Sequence, residues 1–448
     1  MSNENSTSNG SLPLFDIEEF NLFDYTYFLN SEIGKLWQSI PFDALSECYP
    51  AKDKSKGGRT ENFCIRGKLA CLVLKHHTGL SDERLIERIN TDVSFRLFCF
   101  RPLNRQKVIE DKGAVSKARG FLASSLDIQK MQKAVVPHWV PFLSHIGINL
   151  QDAVCYESYI KFPTDVKLLW DCCEWVGENV RTLCKVLKVR TPRSKYLDQK
   201  QQQQVFAKMK KKTYKQTRKR KRKLLYLLTK LTGQLQEILN RHPEVHQTLD
   251  KKFYDHLKTI RTVRIQQKYM YDHKVNKVGN RIVSFYKPYI RPIKRGKENK
   301  PTEFGCKVQM GQCDGINFID RLDFNAFNEC TELKRSVWKH RHRFGRCTHV
   351  GADRIYGTNK NRKFLKEHGI HHSLPQKGRV KAAHAEQRKQ MAQALGKQRA
   401  TVLEGSFGNE KNHYGLRKVK ARTQATEIAW VFFVPQLLRD KCLSLIHI

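Results

Sequence analysis

The chain has 448 residues, 40% hydrophobic and 10% aromatic, and 83 Lys and Arg against 43 Asp and Glu give it a formal net charge of +40. That length supports two or three cored domains, and the apolar content excludes a disordered polycation. So large a positive excess opposes compaction unless a polyanion is the partner; nucleic acid fits better than an anionic membrane, because no amphipathic basic helix dominates the chain.

The thirteen cysteines include no CxxC pair, which points to buried thiols in a reducing cytosol rather than to disulfides or zinc. Residues 1–12 show no signal-peptide pattern, and the longest apolar run, 428–434, is too short to span a bilayer. A soluble, cytoplasmic protein is expected.

Residues 13–50 mix aromatics with acids and predict a packed N-terminal cap; 51–62 is a basic, glycine-containing linker. Leu69, Leu72 and Val73 share one face of a helix and Leu85, Ile86 and Ile89 share a face of a second, with Gly79 as the break and Ser81 as N-cap. A third helix is predicted over 114–134. Three short helices with a tight turn have the pattern of a helix-turn-helix-like module.

The segment "INLQDAVCYES" reads as a strand carrying Asp152, followed by a helix opened by Pro163 and Thr164. The run 208–223 is dense in Lys and Arg and has no acid, which predicts phosphate binding, with Lys219, Arg220, Lys221 and Arg222 near its carboxyl end among the contacts. Leu224, Leu228, Leu231, Leu235 and Ile238 follow at helical spacing and predict the core of a helix hairpin in preference to a dimer zipper. Helix continues over 252–277.

From 281 the pattern turns to strands, two of them joined at Asp314-Gly315, a hairpin signal. Next come a helix stopped at Gly345, a short strand with Asp353 at its carboxyl end, a helix, the strand "IHHSLP" and a long polar helix over 380–403. Apart from the insertion, the order predicts an α/β, ribonuclease-H-like fold with a helical insertion, preceded by an α-helical DNA-binding domain. In that fold the strands of Asp152 and Asp353 are neighbours, and a helix carrying Glu404 packs across the sheet. Three carboxylates so placed suit Mg²⁺ or Mn²⁺ and phosphodiester chemistry. Glu157 and Asp165 stay open as alternatives for the first position and Glu410 for the third. Asp314, Asp320 and Asp323 read as hairpin and turn residues, and His340 and His342 as part of a basic helix face.

Four segments in order, "DAVCYESYIKFPTDVKLL", "YKPYIRPIKRGKENKPTEFGCKVQ", "GADRIYGTNKNRKFLKEHGI" and "LEGSFGNEKNHYGLRKVKART", resemble the DDE transposases of bacterial insertion sequences, the group with an InsH-like N-terminal domain. The resemblance spans about 60 to 435. It implies an InsH-like helical domain at 1–135 and a DDE catalytic domain at 145–435 with a basic helical insertion at 165–280. It implies Mg²⁺-dependent cleavage and strand transfer at terminal inverted repeats, with Asp152, Asp353 and Glu404 as metal-binding catalytic residues and Mn²⁺ able to substitute. Six residues separate Glu404 from Lys411, the family's Glu-(6)-Lys spacing, which gives Lys411 a contact to a terminal phosphate. Implied partners are double-stranded DNA, as transposon ends and target, and a second copy in a synaptic homodimer, at the nucleoid in the cytoplasm and with no membrane. The family's Tyr-(2)-Arg-(3)-Glu signature is incomplete: its Arg position is Ala400, with Arg399 beside it. Gly405 and Gly408 weaken a helix after Glu404, and the tail "KCLSLIHI" reads as a truncated or out-of-frame end. The alternatives are a catalytically inactive DNA-binding remnant and a ribonuclease-H-like nuclease that cuts without joining.

Overall fold

The computed structural model describes residues 22–50, 61–101, 108–294, 301–378 and 385–437. The chain is mixed α/β, mostly helical, and divides into two units: Met1–Ser158 with Cys306–Asp323 and Phe327–Ile448, and Tyr159–Gly305 with Phe324–Ala326. Among the described residues no helix is long and apolar enough to cross a membrane.

Among the described residues the first unit has eight α-helices before its first strand: α1 (Leu22–Asn30), α2 (Glu32–Ser39), α3 (Phe42–Ser46), α4 (Ile65–Thr78), α5 (Asp82–Thr91), α6 (Val93–Phe98), α7 (Ala114–Ser124) and α8 (Ile128–Trp139). Helix α4 is buried along most of its length, from Leu69 to Leu74, and ends at Gly79, whose φ of 66° lies in the left-handed region that glycine adopts without strain. Ser81 caps α5 by accepting from the Arg84 N–H. The exposed face of α5 carries Glu83 and Glu87 with Arg84 and Arg88, a face of mixed sign. The single helix expected over 114–134 is two, because the Asp127 side chain accepts from the N–H groups of Gln129 and Lys130 and starts α8 anew.

After α8 comes β1 (Ile148–Glu157). The second unit holds α9 (Asp165–Val186), α10 (Tyr196–Lys208), α11 (Tyr214–Arg241), α12 (Lys251–Asp272) and β2 (Pro292–Lys294), which pairs antiparallel with the first residues of β3 (Thr302–Cys313). Leu224, Leu228, Leu231, Leu235 and Ile238 of α11 are buried against α9 and α12, with Cys172, Cys173, Val176 and Val263; the leucine stripe is a hairpin core, as its spacing predicts. The stretch expected as strand from 281 is irregular up to β2, where Pro288 and Pro292 withhold the N–H groups a ladder needs.

Back in the first unit, β3 turns through Asp314 (φ 44°) and Gly315 (φ 87°) into β4 (Ile316–Asp323). The chain continues through α13 (Leu333–Phe344), β5 (His349–Ala352), α14 (Asn359–Glu367), β6 (His371–His372), α15 (Ala385–Gln398), α16 (Glu404–Asn412) and α17 (Gln424–Leu437). The strand order is β4-β3-β1-β5-β6; β4 runs antiparallel to β3, and β1, β5 and β6 run parallel. Asp320, expected in a turn, is buried within β4 and forms an ion pair with Arg343 at 2.9 Å. The apolar run 428–434 lies in α17, where Val431, Phe432, Phe433 and Val434 are fully buried.

Candidate active site

Parallel pairing of β1 with β5 sets Gln151 opposite Ala352, so the next residues on the two strands, Asp152 and Asp353, emerge side by side. Glu404 arrives from the other direction. Gly351 makes this approach possible: a Cβ there would lie 2.6 Å from Leu150 Cδ2 and 3.3 Å from the Leu395 carbonyl oxygen. With glycine, α15 lies close against β5 and carries the segment after it over the strand ends.

That segment, Arg399–Leu403, is a π-helix, and the Glu404 N–H closes it by donating to the Arg399 carbonyl. One Arg399 nitrogen then lies 2.7 Å from Asp152 Oδ2 and 2.7 Å from Glu404 Oε1. The other reaches within 4.0 Å of Asp353 Oδ1. The three carboxylates predicted from sequence therefore surround a single guanidinium.

Asp152 is mostly buried, and burial pushes its carboxyl up to about 6. The Ala153 N–H and the Arg399 guanidinium oppose that rise, while Glu329 and Glu404 add to it. Glu329, not singled out from sequence, is a further acid of this neighbourhood and pairs with Lys307 at 2.8 Å. Beneath the cluster Tyr356 is fully buried and donates to Gln309 at 2.9 Å; burial and the nearby Asp152, Glu329 and Asp353 charges raise its phenol.

The alternatives are engaged elsewhere. Glu410 is buried and accepts from Tyr156 and, at 2.8 Å, from Asn317. Asp165 belongs to the second unit, where it accepts from Lys221 at 2.5 Å, Arg281 at 2.6 Å and Gln267 at 3.0 Å. Burial raises its carboxyl, but these partners outweigh it and lower the carboxyl overall. Glu157 lies beyond Asp152 near the end of β1 and its backbone carbonyl accepts from Val419.

Helix α16 runs unbroken through Gly405 and Gly408, contrary to the sequence expectation, because its inner face is anchored by buried Phe407 and Glu410. Lys411, two turns after Glu404, is on the same side of α16, half-buried, with Nζ 5.9 Å from the centre of the Tyr156 ring.

The four basic residues expected to touch phosphate differ in exposure. Arg220 is 5% exposed and donates to the Gln203 side chain at 2.9 Å, the Gln199 side chain at 2.7 Å and the Gln199 carbonyl at 2.8 Å. Lys221 is held by Asp165. One face of α11 packs inward and takes in Arg220, and Lys221 is part-buried beside it; of the four expected phosphate contacts, Lys219 and Arg222 are exposed.

Beside β6 a cavity of about 970 Å³ is lined by Arg362, Lys366, Lys377, Arg388, His371 and His372, with no Asp or Glu among its described lining residues. Burial, and then Arg388 and Arg362, push His372 down to about 4.

The carboxylates fit a hard divalent cation. They are oxygen donors, one is buried, and they already converge on a cation, the guanidinium. Among the described residues no three His, Cys, Asp or Glu side chains are grouped to hold a metal as they stand; an Arg399 nitrogen lies between Asp152 and Glu404.

Two family models match the chain: a transposase DDE domain over residues 350–437 and a transposase domain (DUF772) over residues 26–119. The first takes in Asp353, Glu404 and Lys411; Asp152 lies outside both. No curated protein and no solved structure matches the chain.

Proposed function

This chain belongs to the DDE transposases of insertion sequences, and on that premise we propose that it cleaves and joins DNA strands at the terminal inverted repeats of its element. The observation that carries this reading is the approach of Asp152 and Glu404 to one Arg399 nitrogen, with Asp353 beside the other. The sheet order and the chain path after β1 support a ribonuclease-H-like catalytic domain, with 165–280 as its helical insertion, inside the unit that spans Tyr159–Gly305, and the helices before β1 as an InsH-like, DNA-binding part.

Asp152, Asp353 and Glu404 would hold Mg²⁺, with Mn²⁺ able to substitute. When bound, the metal supplies Lewis-acid activation of the attacking and leaving oxygens of a phosphodiester. The protein's own part is placement. The β1–β5 register fixes two carboxylates, Gly351 lets the third approach, and burial of Asp152 leaves a carboxylate that gains from any cation within reach. Lys411 contacts a terminal phosphate from the same helix as Glu404. Exposed Lys219 and Arg222 and the cationic cavity beside β6 take the DNA backbone. The partners are double-stranded transposon ends and target DNA and a second copy of the chain in the synaptic complex, at the nucleoid.

The test is a strand-transfer assay with the element's own ends, purified protein and Mg²⁺. Joined products are expected with Mg²⁺ and none with chelator. Nicked but never joined DNA would instead support a nuclease, and DNA binding with no cleavage under any divalent metal would support an inactive binding protein.

A further inference from the structure

The segment joining α15 to α16 has an unusual geometry with a direct chemical consequence. In an α-helix the residue facing Glu404 one turn earlier is the fourth before it, Ala400; in a π turn it is the fifth. Here the turn is π and the fifth residue is Arg399, while Ala400 points to solvent. The extra residue thus aims a guanidinium, and not a methyl group, into the acidic cluster.

Three carboxylates in one place repel one another, and a buried one repels most strongly. Arg399 offsets this with 2.7 Å contacts to Asp152 and Glu404 and a 4.0 Å approach to Asp353. Its side chain is itself 16% exposed. A guanidinium at hydrogen-bond distance from two acids fills the volume that a shared metal ligated by both would need.

We propose that Arg399 is the built-in cation of this site: it assembles the Asp152, Asp353 and Glu404 carboxylates in the metal-free protein and is displaced when a divalent cation binds. The inference rests on the metal-binding reading above and adds a positioning residue to it. The π turn sets the register, so position 399 alone can serve. Divalent-metal affinity is then the difference between two cations competing for the same oxygens.

The experiment is Mn²⁺ binding to the full-length protein, followed by calorimetry and by loss of the free-ion electron paramagnetic resonance signal, together with thermal unfolding with and without Mn²⁺. Arg399→Ala and Arg399→Gln should bind Mn²⁺ about tenfold more tightly than the parent, the equivalent of one charge-assisted hydrogen bond no longer to be broken. Both should also melt lower without metal and regain more on its addition. Arg399→Lys, which keeps the charge, should bind Mn²⁺ less tightly than Arg399→Ala. Arg399→Ala combined with Ala400→Arg should behave as Arg399→Ala alone; a return to parental binding would show that the turn is α and that register plays no part. Unchanged or weaker Mn²⁺ binding by both Arg399→Ala and Arg399→Gln would overturn the inference. Asp152→Asn separates the two levels of argument: if it loses Mn²⁺ while the Arg399 variants bind as the parent does, only the displacement fails; if it binds Mn²⁺ as the parent does, the metal site itself fails.

Discussion

Arg399 and Glu404 are five residues apart, yet their side chains meet at 2.7 Å because a single π turn separates them. The same nitrogen that meets Glu404 also meets Asp152, 247 residues away in sequence. One backbone irregularity therefore ties the helix end to the first strand. The third acid, Asp353, sits at the edge of this arrangement and is the most exposed of the three, at 54% against 48% for Glu404 and 17% for Asp152.

That exposure makes Asp353 the clean position for separating binding from cleavage. Asp353→Asn keeps the side-chain oxygen that accepts from the Arg354 N–H at 2.7 Å, so the fold should be unaffected within about 0.5 kcal/mol. Cleavage in Mg²⁺ should fall below detection while binding to the inverted-repeat ends is kept or slightly strengthened, since a negative charge near DNA is removed. Gel-shift and nicking assays on the same preparation decide it; retained nicking would remove Asp353 from the catalytic set.

The basic segment of α11 should divide into two classes of residue. Lys219→Gln with Arg222→Gln should weaken binding to all DNA sequences alike and shrink the slope of log K against log salt by about 2 units, with no change in melting temperature. Arg220→Ala should do the reverse. It leaves the buried Gln199 and Gln203 side chains without their donor, so unfolding should become easier by about 2–4 kcal/mol, with little effect on the salt slope of the protein that remains folded. A salt slope that shifts equally in both variants would return Arg220 to the DNA interface.

That division shows where a sequence is readable and where it is not. Charge runs report composition, but burial depends on which side of a helix faces the core. Arg220 and Lys221 sit between exposed neighbours and are consumed by Gln199 and Asp165, residues 21 and 56 positions away. The placement of two acids side by side was legible for a different reason. Asp152 and Asp353 follow apolar strand patterns, and parallel pairing of those strands brings them side by side. Gly79, Ser81, Gly345 and Asp314-Gly315 were legible because caps and turns are set by local chemistry. The π turn was not, because nothing in "KQRATVLEG" distinguishes it from an α-helix, and its packing against β1 is a contact between residues far apart in sequence. The break at Asp127 was available in the sequence, since an Asp directly before the first helical residue is an N-cap signal.

The cationic cavity beside β6 should contribute backbone contacts of its own. Lys366 and Arg388 are exposed on its lining and face no described acid there. Lys366→Gln with Arg388→Gln should reduce the salt slope by about 2 units, additively with the α11 pair. Fluorescence anisotropy with duplex DNA of scrambled sequence measures this without interference from specific readout. An unchanged slope would mean that the cavity faces away from the DNA.

Stability should fall in mild acid, and three histidines, His76 and His340 buried and His372 half-buried, give the sign. Burial, reinforced by Arg119 and Lys75 against the weaker opposing effect of Asp82, pushes His76 down to about 3. Burial lowers His340 to about 4 although its ring lies 2.7 Å from the Ile146 carbonyl, and His372 is likewise near 4. The unfolded chain protonates each at its ordinary value near 6.5 while the folded chain keeps it neutral. Below that value the unfolded state binds more protons, so stability is intact above pH 6.5 and is lost progressively as pH drops toward 4. The slope is up to about 1.4 kcal/mol per pH unit for each histidine, the full value applying only midway between the two pKa values. Urea unfolding at pH 7.5, 6.0 and 5.0 should show midpoints falling in that order. His76→Asn should flatten the decline by about a third relative to the parent, and a decline of unchanged steepness in that variant would show that His76 is protonated in the folded protein.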